Sequence, residues 1–300
     1  MQKIVPNIWC TRNAEEAGAF YADVFQNATS VVESRYPAEG LLEFQRELAG
    51  EPLTVSLTIS GLEITLINAG SEFRPNPAIS FMLNFDPLLF DGDEVTARAS
   101  LDRIWARLSE HGTVLMDLGE YPFSEHYGWV EDRYGVSWQL ILTDPAGEPR
   151  PFLMPALMFG STAQNRAREA VDFYTSLFED SALGERVLYD TAQGPVQPGS
   201  VQYSEFRVVD QWFVAMDAGG EQAFTFTPGV SLQVNCTGQE EIDRLWNALS
   251  AVPEAEQCGW LVDRFGVSWQ IVPQQMAELM QRPGAFEHML EMKKLVIHEF

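Results

Sequence analysis

Two segments carry the residue types that could hold or transform a small molecule, and they are copies of each other. Residues 128–139 read GWVEDRYGVSWQ and residues 259–270 read GWLVDRFGVSWQ, identical at nine of twelve positions. In each, an Asp-Arg-aromatic-Gly turn separates two short apolar runs, with Gly supplying the positive φ that other residues resist. Past the turn, side chains alternate between two faces. Val136, Trp138 and Leu140 form one face and Ser137, Gln139 and Ile141 the other; Val267, Trp269 and Ile271 oppose Ser268, Gln270 and Val272. The Trp face reads as core. The Ser/Gln face offers neutral groups that both donate and accept hydrogen bonds, and Trp129 and Trp260 are candidate aromatic lining. A preceding run adds Ser231, Gln233 and Asn235 opposite Val230, Leu232 and Val234. Polar groups on a partly apolar wall are what small-molecule sites use.

Groups able to move a proton or attack a carbon are sparse. His126 lies two residues before the first motif and aligns with Gln257 before the second. That exchange keeps hydrogen bonding but gives up proton transfer near neutral pH. His126 is therefore the candidate acid–base residue, with Glu125 and Glu256 as neighbouring carboxyls; the competing reading is an exposed loop histidine. Cys258 aligns with Tyr127, and no base stands ready to activate its thiol. The cluster Asp217-Ala218-Gly219-Gly220 falls in a hairpin rather than at a strand-to-helix junction, and is weak as a nucleotide-binding signature.

Elements of recurring order must position these residues. Ile4–Cys10 reads as a strand, followed by a helix with Asn13 as N-cap and Phe20, Tyr21, Val24 and Phe25 on its stripe; its copy spans Ala163–Phe178. Strands follow at Leu41–Leu48, Leu53–Ser60 and Glu63–Ile67, and again at Val201–Val209 and Trp212–Met216. Ala78–Asn84 and Gly229–Asn235 open second units, each leading to a helix, at Leu101–Leu108 and Ile242–Leu249, and then to the motif. The first half carries extra residues near Phe85–Ser100 and His111–Tyr127, expected as loops. The tail, Gln274–Phe300, reads as amphipathic helices broken at Pro283-Gly284.

The net charge of −24 argues against nucleic acid, whose phosphates need clustered Lys and Arg. No apolar run approaches the ~18 residues of a membrane span. Three cysteines without a CxxC pair and an N-terminus lacking a signal-peptide core give the expectation of a cytoplasmic chain with reduced thiols.

The order strand, helix, strands, repeated four times, resembles the βαβββ units of the vicinal oxygen chelate superfamily, with glyoxalase I, bleomycin resistance proteins and extradiol dioxygenases. Asn13–Ala17 leading to Phe20-Tyr21, Asn235-Cys236 with Glu240–Trp246, Gln257–Pro273 and Met289–Lys294 are similar to the PhnB-like, demethylubiquinone methyltransferase-like branch. The resemblance covers nearly the whole chain and implies an α+β fold of tandem βαβββ units. Four such units would form two cup-shaped mixed sheets, a pseudo-dimer within one chain, with a further homodimer left open. The expected domains are 1–144 and 153–273, joined by a linker at 145–152 and followed by a helical tail at 274–300. Which units pair to form each cup stays open. The superfamily binds a divalent metal through His or Gln on a first strand and Glu on a last strand. By position, those places hold Gln139 and Gln270, with Asn7-Ile8-Trp9, Ala156-Leu157-Met158, Ala78–Ser80 and Gly229–Ser231 on the first strands. Neutral amides hold a divalent ion poorly, so no metal and no cofactor is expected. The expected function is metal-free binding of a small organic molecule by Trp129, Ser137, Gln139, Ser231, Gln233, Asn235, Gln257, Trp260, Ser268 and Gln270. The alternative is a lyase or isomerase using His126 or a nearby Glu; methyl transfer is disfavoured by the lack of a cofactor-binding loop.

Overall fold

The computed structural model describes residues 1–41, 43–144 and 149–300. Three βαβββ units and a fourth with one strand fewer follow one another. The first holds β1 (Ile4–Thr11), α1 (Ala14–Val24), β2 (Ala28–Arg35), β3 (Pro52–Ile59) and β4 (Leu62–Ala69). The second holds β5 (Ile79–Phe85), α2 (Glu94–Ser109), β6 (Thr113–Tyr121), β7 (Ser124–Glu131) and β8 (Ser137–Leu142). The third holds β9 (Leu153–Phe159), α3 (Ala167–Leu177), β10 (Ala182–Leu188), β11 (Val201–Val208) and β12 (Gln211–Asp217). The fourth holds β13 (Val230–Cys236), α4 (Gln239–Leu249), β14 (Trp260–Val262) and β15 (Ser268–Pro273), and α5 (Met276–Leu279) and α6 (Ala285–Glu291) complete the tail.

Units pair across the duplication. One sheet runs β14-β15-β13-β1-β4-β3-β2 and joins the fourth unit to the first; the other runs β10-β11-β12-β9-β5-β8-β7-β6 and joins the third to the second. The junctions are antiparallel, with Asn7 opposite Ser231 and Ser80 opposite Ala156. The apolar cores instead form mainly within each sequence half, with Ile4, Ala78 and Ile79 of the first half joining the core of the second. Tyr21, Leu57, Leu66, Phe81, Ile104 and Trp138 share one core, and Tyr174, Phe206, Leu232, Leu245 and Trp269 share the other. Each half thus supplies one unit to each sheet and packs its two units together through their helix-bearing faces.

The motif aspartate anchors this packing. Asp132 is 4% exposed and accepts four hydrogen bonds. Its Oδ1 takes the Tyr134 and Val136 N–H groups, and its Oδ2 takes the Tyr21 hydroxyl at 2.7 Å and the Trp138 indole at 2.8 Å. Asp263 repeats this with Phe265, Val267, Tyr174 and Trp269. Burial pushes both carboxyls above their ordinary value, against the pull of these donors. Gly128 lets a strand and a helix meet: a Cβ there would lie 2.5 Å from the Trp105 ring of α2.

Several expectations need correction. The stretch Leu41–Leu48 is not a strand: Glu43–Leu48 is a short 3₁₀ helix, and Leu42 lies outside the described residues. The strands taking its role, β2 and β10, alternate between half-buried and exposed residues and lack an apolar face strong enough to mark them. Asn13 makes no side-chain cap on α1; Asn68 Oδ1 accepts from the Ala14 N–H, as Asp217 Oδ1 does from Ala167. The extra residues of the first half are not loops alone. They lengthen α2 to sixteen residues against eleven in α4, and they form β6, which pairs with β7. The fourth unit lacks a strand there, and the tail substitutes: Cys258 and Gly259 donate to the carbonyls of Met292 and Lys293. Of the proposed linker, residues 145–148 lie outside the described residues.

Candidate functional site

The two sheets present the same motif face in two different states. In the first cup, formed by the first and fourth units, a cavity of about 1840 Å³ opens. Its floor carries Asn7 and Trp9 of β1, Gln233 of β13, and Ser268 and Gln270 of β15. The period of two along each strand puts these on one face while Ile8, Leu232 and Trp269 enter the core. Gln270 Nε2 donates to Ser231 Oγ at 3.0 Å, which holds the amide and leaves its Oε1 unbonded. Asn7 donates to the Val5 carbonyl, and Gln233 donates to Asn235 Oδ1 at 2.9 Å. Trp9 is fixed by its N–H to the Gly70 carbonyl and meets Phe73 and Trp260 edge-on, at 5.1 and 6.2 Å between ring centres. The tail covers one side, where Met276, Met280, Phe286 and Met289 reach the cavity.

In the second cup the same positions are filled. Met82 stands where the first cup has Gln233, and Met154, Ala156 and Met158 stand where it has Val5, Asn7 and Trp9. Met82, Met154 and Ala156 pack with Val214, and Met158 packs with Tyr127, Trp129 and Ala218. Gln139, 2% exposed, donates to Ser80 Oγ and accepts from the Tyr127 hydroxyl, each at 2.8 Å. The Trp129 indole donates to Ser137 Oγ at 2.7 Å. Cys258 replaces Tyr127 in the first cup, and there neither of these two bonds has a counterpart.

The ten expected binding residues are thus not one constellation. Gln233, Asn235, Gln257, Trp260, Ser268 and Gln270 line the first cavity. Ser231 sits behind Gln270, and Trp129, Ser137 and Gln139 belong to the packed second cup. Asn235 is tied to the Gln2 carbonyl and Gln257 to the Leu290 carbonyl, so both work at the rim. His126 is in strand β7 rather than an exposed loop and turns away from the cup. Its Nε2 lies 2.6 Å from Asp102 and its Nδ1 3.2 Å from Arg98, both on α2, and it is 8% exposed. Glu125 is exposed, and Glu256 bonds Ser250 and Lys293 outside the cavity. Sequence reasoning did not single out Trp9, Thr65, Ile67 or the tail methionines as lining. The alternation of Val5, Asn7 and Trp9 was the available signal for β1; nothing in the tail said where it docks.

The donor set does not fit the divalent metal that the superfamily resemblance implies. The floor offers amides and hydroxyls, and among the described residues no group of three or more His, Cys, Asp or Glu is placed to hold an ion. Burial raises the Cys10 and Cys236 thiols to about 12, which keeps them protonated.

The family model described as 3-demethylubiquinone-9 3-methyltransferase matches residues 2–141 and again 152–272. A PhnB protein from Bacillus cereus is 32% identical over 47% of this chain and 100% of its own, with a TM-score of 0.39. Glyoxalase I from Zea mays covers 91% of this chain and 94% of its own at 12% identity and a TM-score of 0.51, a likeness of fold alone. No curated protein matches. The chain belongs to the PhnB-like family of 3-demethylubiquinone-9 3-methyltransferase description, carried as two copies in one polypeptide.

Proposed function

We propose that the first cup binds a small organic molecule without a metal, and that the second cup is structural. One observation carries this reading: duplicated cups differ at the same positions, with an amide and indole floor left open in one and a methionine floor packed shut in the other. Trp9, Phe73 and Trp260 supply apolar area and Gln270, Ser268 and Asn7 supply orientation, the division of labour usual in small-molecule sites. The reading of His126 as an acid–base residue has no comparable support, since its ring is engaged with Asp102 and Arg98 on the far face of the sheet. Methyl transfer, named in the family's description, lacks a matching cofactor cradle: Gly219 and Gly220 lead into an irregular stretch and not into a helix. The test is a fluorescence titration with a neutral aromatic dye such as N-phenyl-1-naphthylamine. One equivalent per chain is expected, lost in Thr65→Trp, which fills the first cup, and kept in Gln139→Ala. Binding that survives Thr65→Trp and disappears in Gln139→Ala would move the site to the second cup.

A further inference from the structure

Ser268 is the buried hydroxyl of the first cup that lacks a partner. It is 1% exposed, it forms part of the cavity wall, and its Oγ makes no hydrogen bond. A buried polar atom without a partner is costly. The duplication shows what this position is built to accept. Ser137, its twin, receives the ring N–H of Trp129 at 2.7 Å, and beside it Gln139 Oε1 receives the ring-borne hydroxyl of Tyr127 at 2.8 Å. Two aromatic donors thus satisfy two acceptors on the floor of the second cup. In the first cup the Tyr is replaced by Cys258, and Trp260 is only half-buried, edge-on to Trp9, with its N–H bonded to nothing on the floor. Both acceptors are present and both aromatic donors are withdrawn.

We infer that the first cup takes a planar aromatic ligand whose own ring-borne N–H or O–H donates to Ser268 Oγ, with Gln270 Oε1 open to a second donor. The second cup is then an internal image of the occupied state, its ligand replaced by two side chains of the chain itself. This rests on the proposal that the first cup binds an organic molecule, and it adds the ligand's chemistry. Trp260, across from Gln270 on β14 and half-buried edge-on to Trp9, stands as the aromatic wall beside this floor.

The probe pair is indole and 1-methylindole, alike in shape and differing in one donor. Both are titrated by ligand-observed saturation-transfer NMR against the full-length protein and against Ser268→Ala. Because Ser268 Oγ is unbonded, removing it should leave the melting temperature unchanged or slightly raised, which separates a binding effect from a folding one. Indole is expected to bind the wild type about tenfold more tightly than 1-methylindole, as one hydrogen bond of ordinary strength allows, and the two should bind Ser268→Ala alike. Equal binding of both to the wild type, or a preference that survives in Ser268→Ala, overturns the inference and leaves the organic-ligand reading standing. Failure of both probes to bind the wild type likewise overturns the inference, and the dye titration alone then decides the organic-ligand reading.

Discussion

Asp132 and Asp263 show how much a single side chain can carry. Each sits among four donors, two from the backbone of its own turn and two from a Tyr and a Trp. Only an all-acceptor group satisfies such a ring. Asp132→Asn keeps the shape but turns one oxygen into a donor facing the Trp138 N–H or a backbone N–H. It is expected to cost about 2–3 kcal/mol, the scale of a lost hydrogen bond to a charged group, with Asp263→Asn behaving alike in urea melts. Trp138→Ala removes both the hydrogen bond and a fully buried ring, and should cost about 3–5 kcal/mol. A loss under about 1 kcal/mol would place the Trp face outside the core. The floor glutamines lead to a different expectation. Gln139 and Gln270 each spend their N–H on a serine and offer one neutral oxygen at most. Inductively coupled plasma analysis after gel filtration should therefore find well under one divalent ion per chain. Near-stoichiometric metal that is lost in Gln270→Ala would overturn this.

Among the elements, the tail and the termini hold the fourth unit in place. Leu295 is fully buried against the Gly259 turn, and the neighbouring Met292 and Lys293 carbonyls take the N–H groups of Cys258 and Gly259 just ahead of edge strand β14. Leu295→Ala should cost about 2–5 kcal/mol and loosen the cavity wall formed by Met276, Met280 and Met289. Lys3, just before β1, reaches Glu241 of α4 at 2.6 Å. Burial works to raise the Glu241 carboxyl, but Lys3 and Thr237 more than offset it, and the group lies below its ordinary 4.5. A carboxyl lowered in the folded state stabilises above its unfolded value and loses that contribution as pH falls through its folded one. Glu241→Gln should thus cost up to about 1 kcal/mol near neutrality and nothing in melts well below pH 4.5. These elements were unevenly legible in the sequence. Duplicated tryptophans and strict alternation in β3 and β13 marked core and strands at once, because apolar periodicity records burial directly. Edge strands β2 and β10 were hidden, since their half-exposed faces tolerate polar residues. The polar floor of the first cup was visible as Ser and Gln on one face. The filling of the second was not, because Met82 meets Met154 only through the β5–β9 pairing, which joins the two halves. The role of Asp132 was taken for turn chemistry alone, as its Tyr21 partner is more than a hundred residues away.

At the scale of the whole molecule, the chain behaves as two copies that exchange sheets. Each half packs its own core, yet neither half completes a cup: β1 needs β13 and β5 needs β9, through five registered residue pairs at each junction. A half made alone therefore exposes two unpaired strand edges, β1 and β5 in the first half or β9 and β13 in the second. Open edges with apolar residues recruit other strands. The first half can satisfy both edges by pairing with a second copy of itself, at the cost of placing Asn7 and Val5 opposite Ser80 and Met82 in a mixed cup. Pairing with the second half restores the native contacts instead. Residues 1–149 and 150–300, expressed separately and mixed, should form a one-to-one complex that outcompetes either self-associated half, read by size-exclusion chromatography with light scattering. The mixture should also recover the dye binding expected of the first cup, because that cavity draws β1 and β4 from one fragment and β13, β15 and the tail from the other. A first half that stays monomeric and stable on its own would show that the junctions contribute little, and that the cup is held by the cores within each half rather than by strand pairing between them.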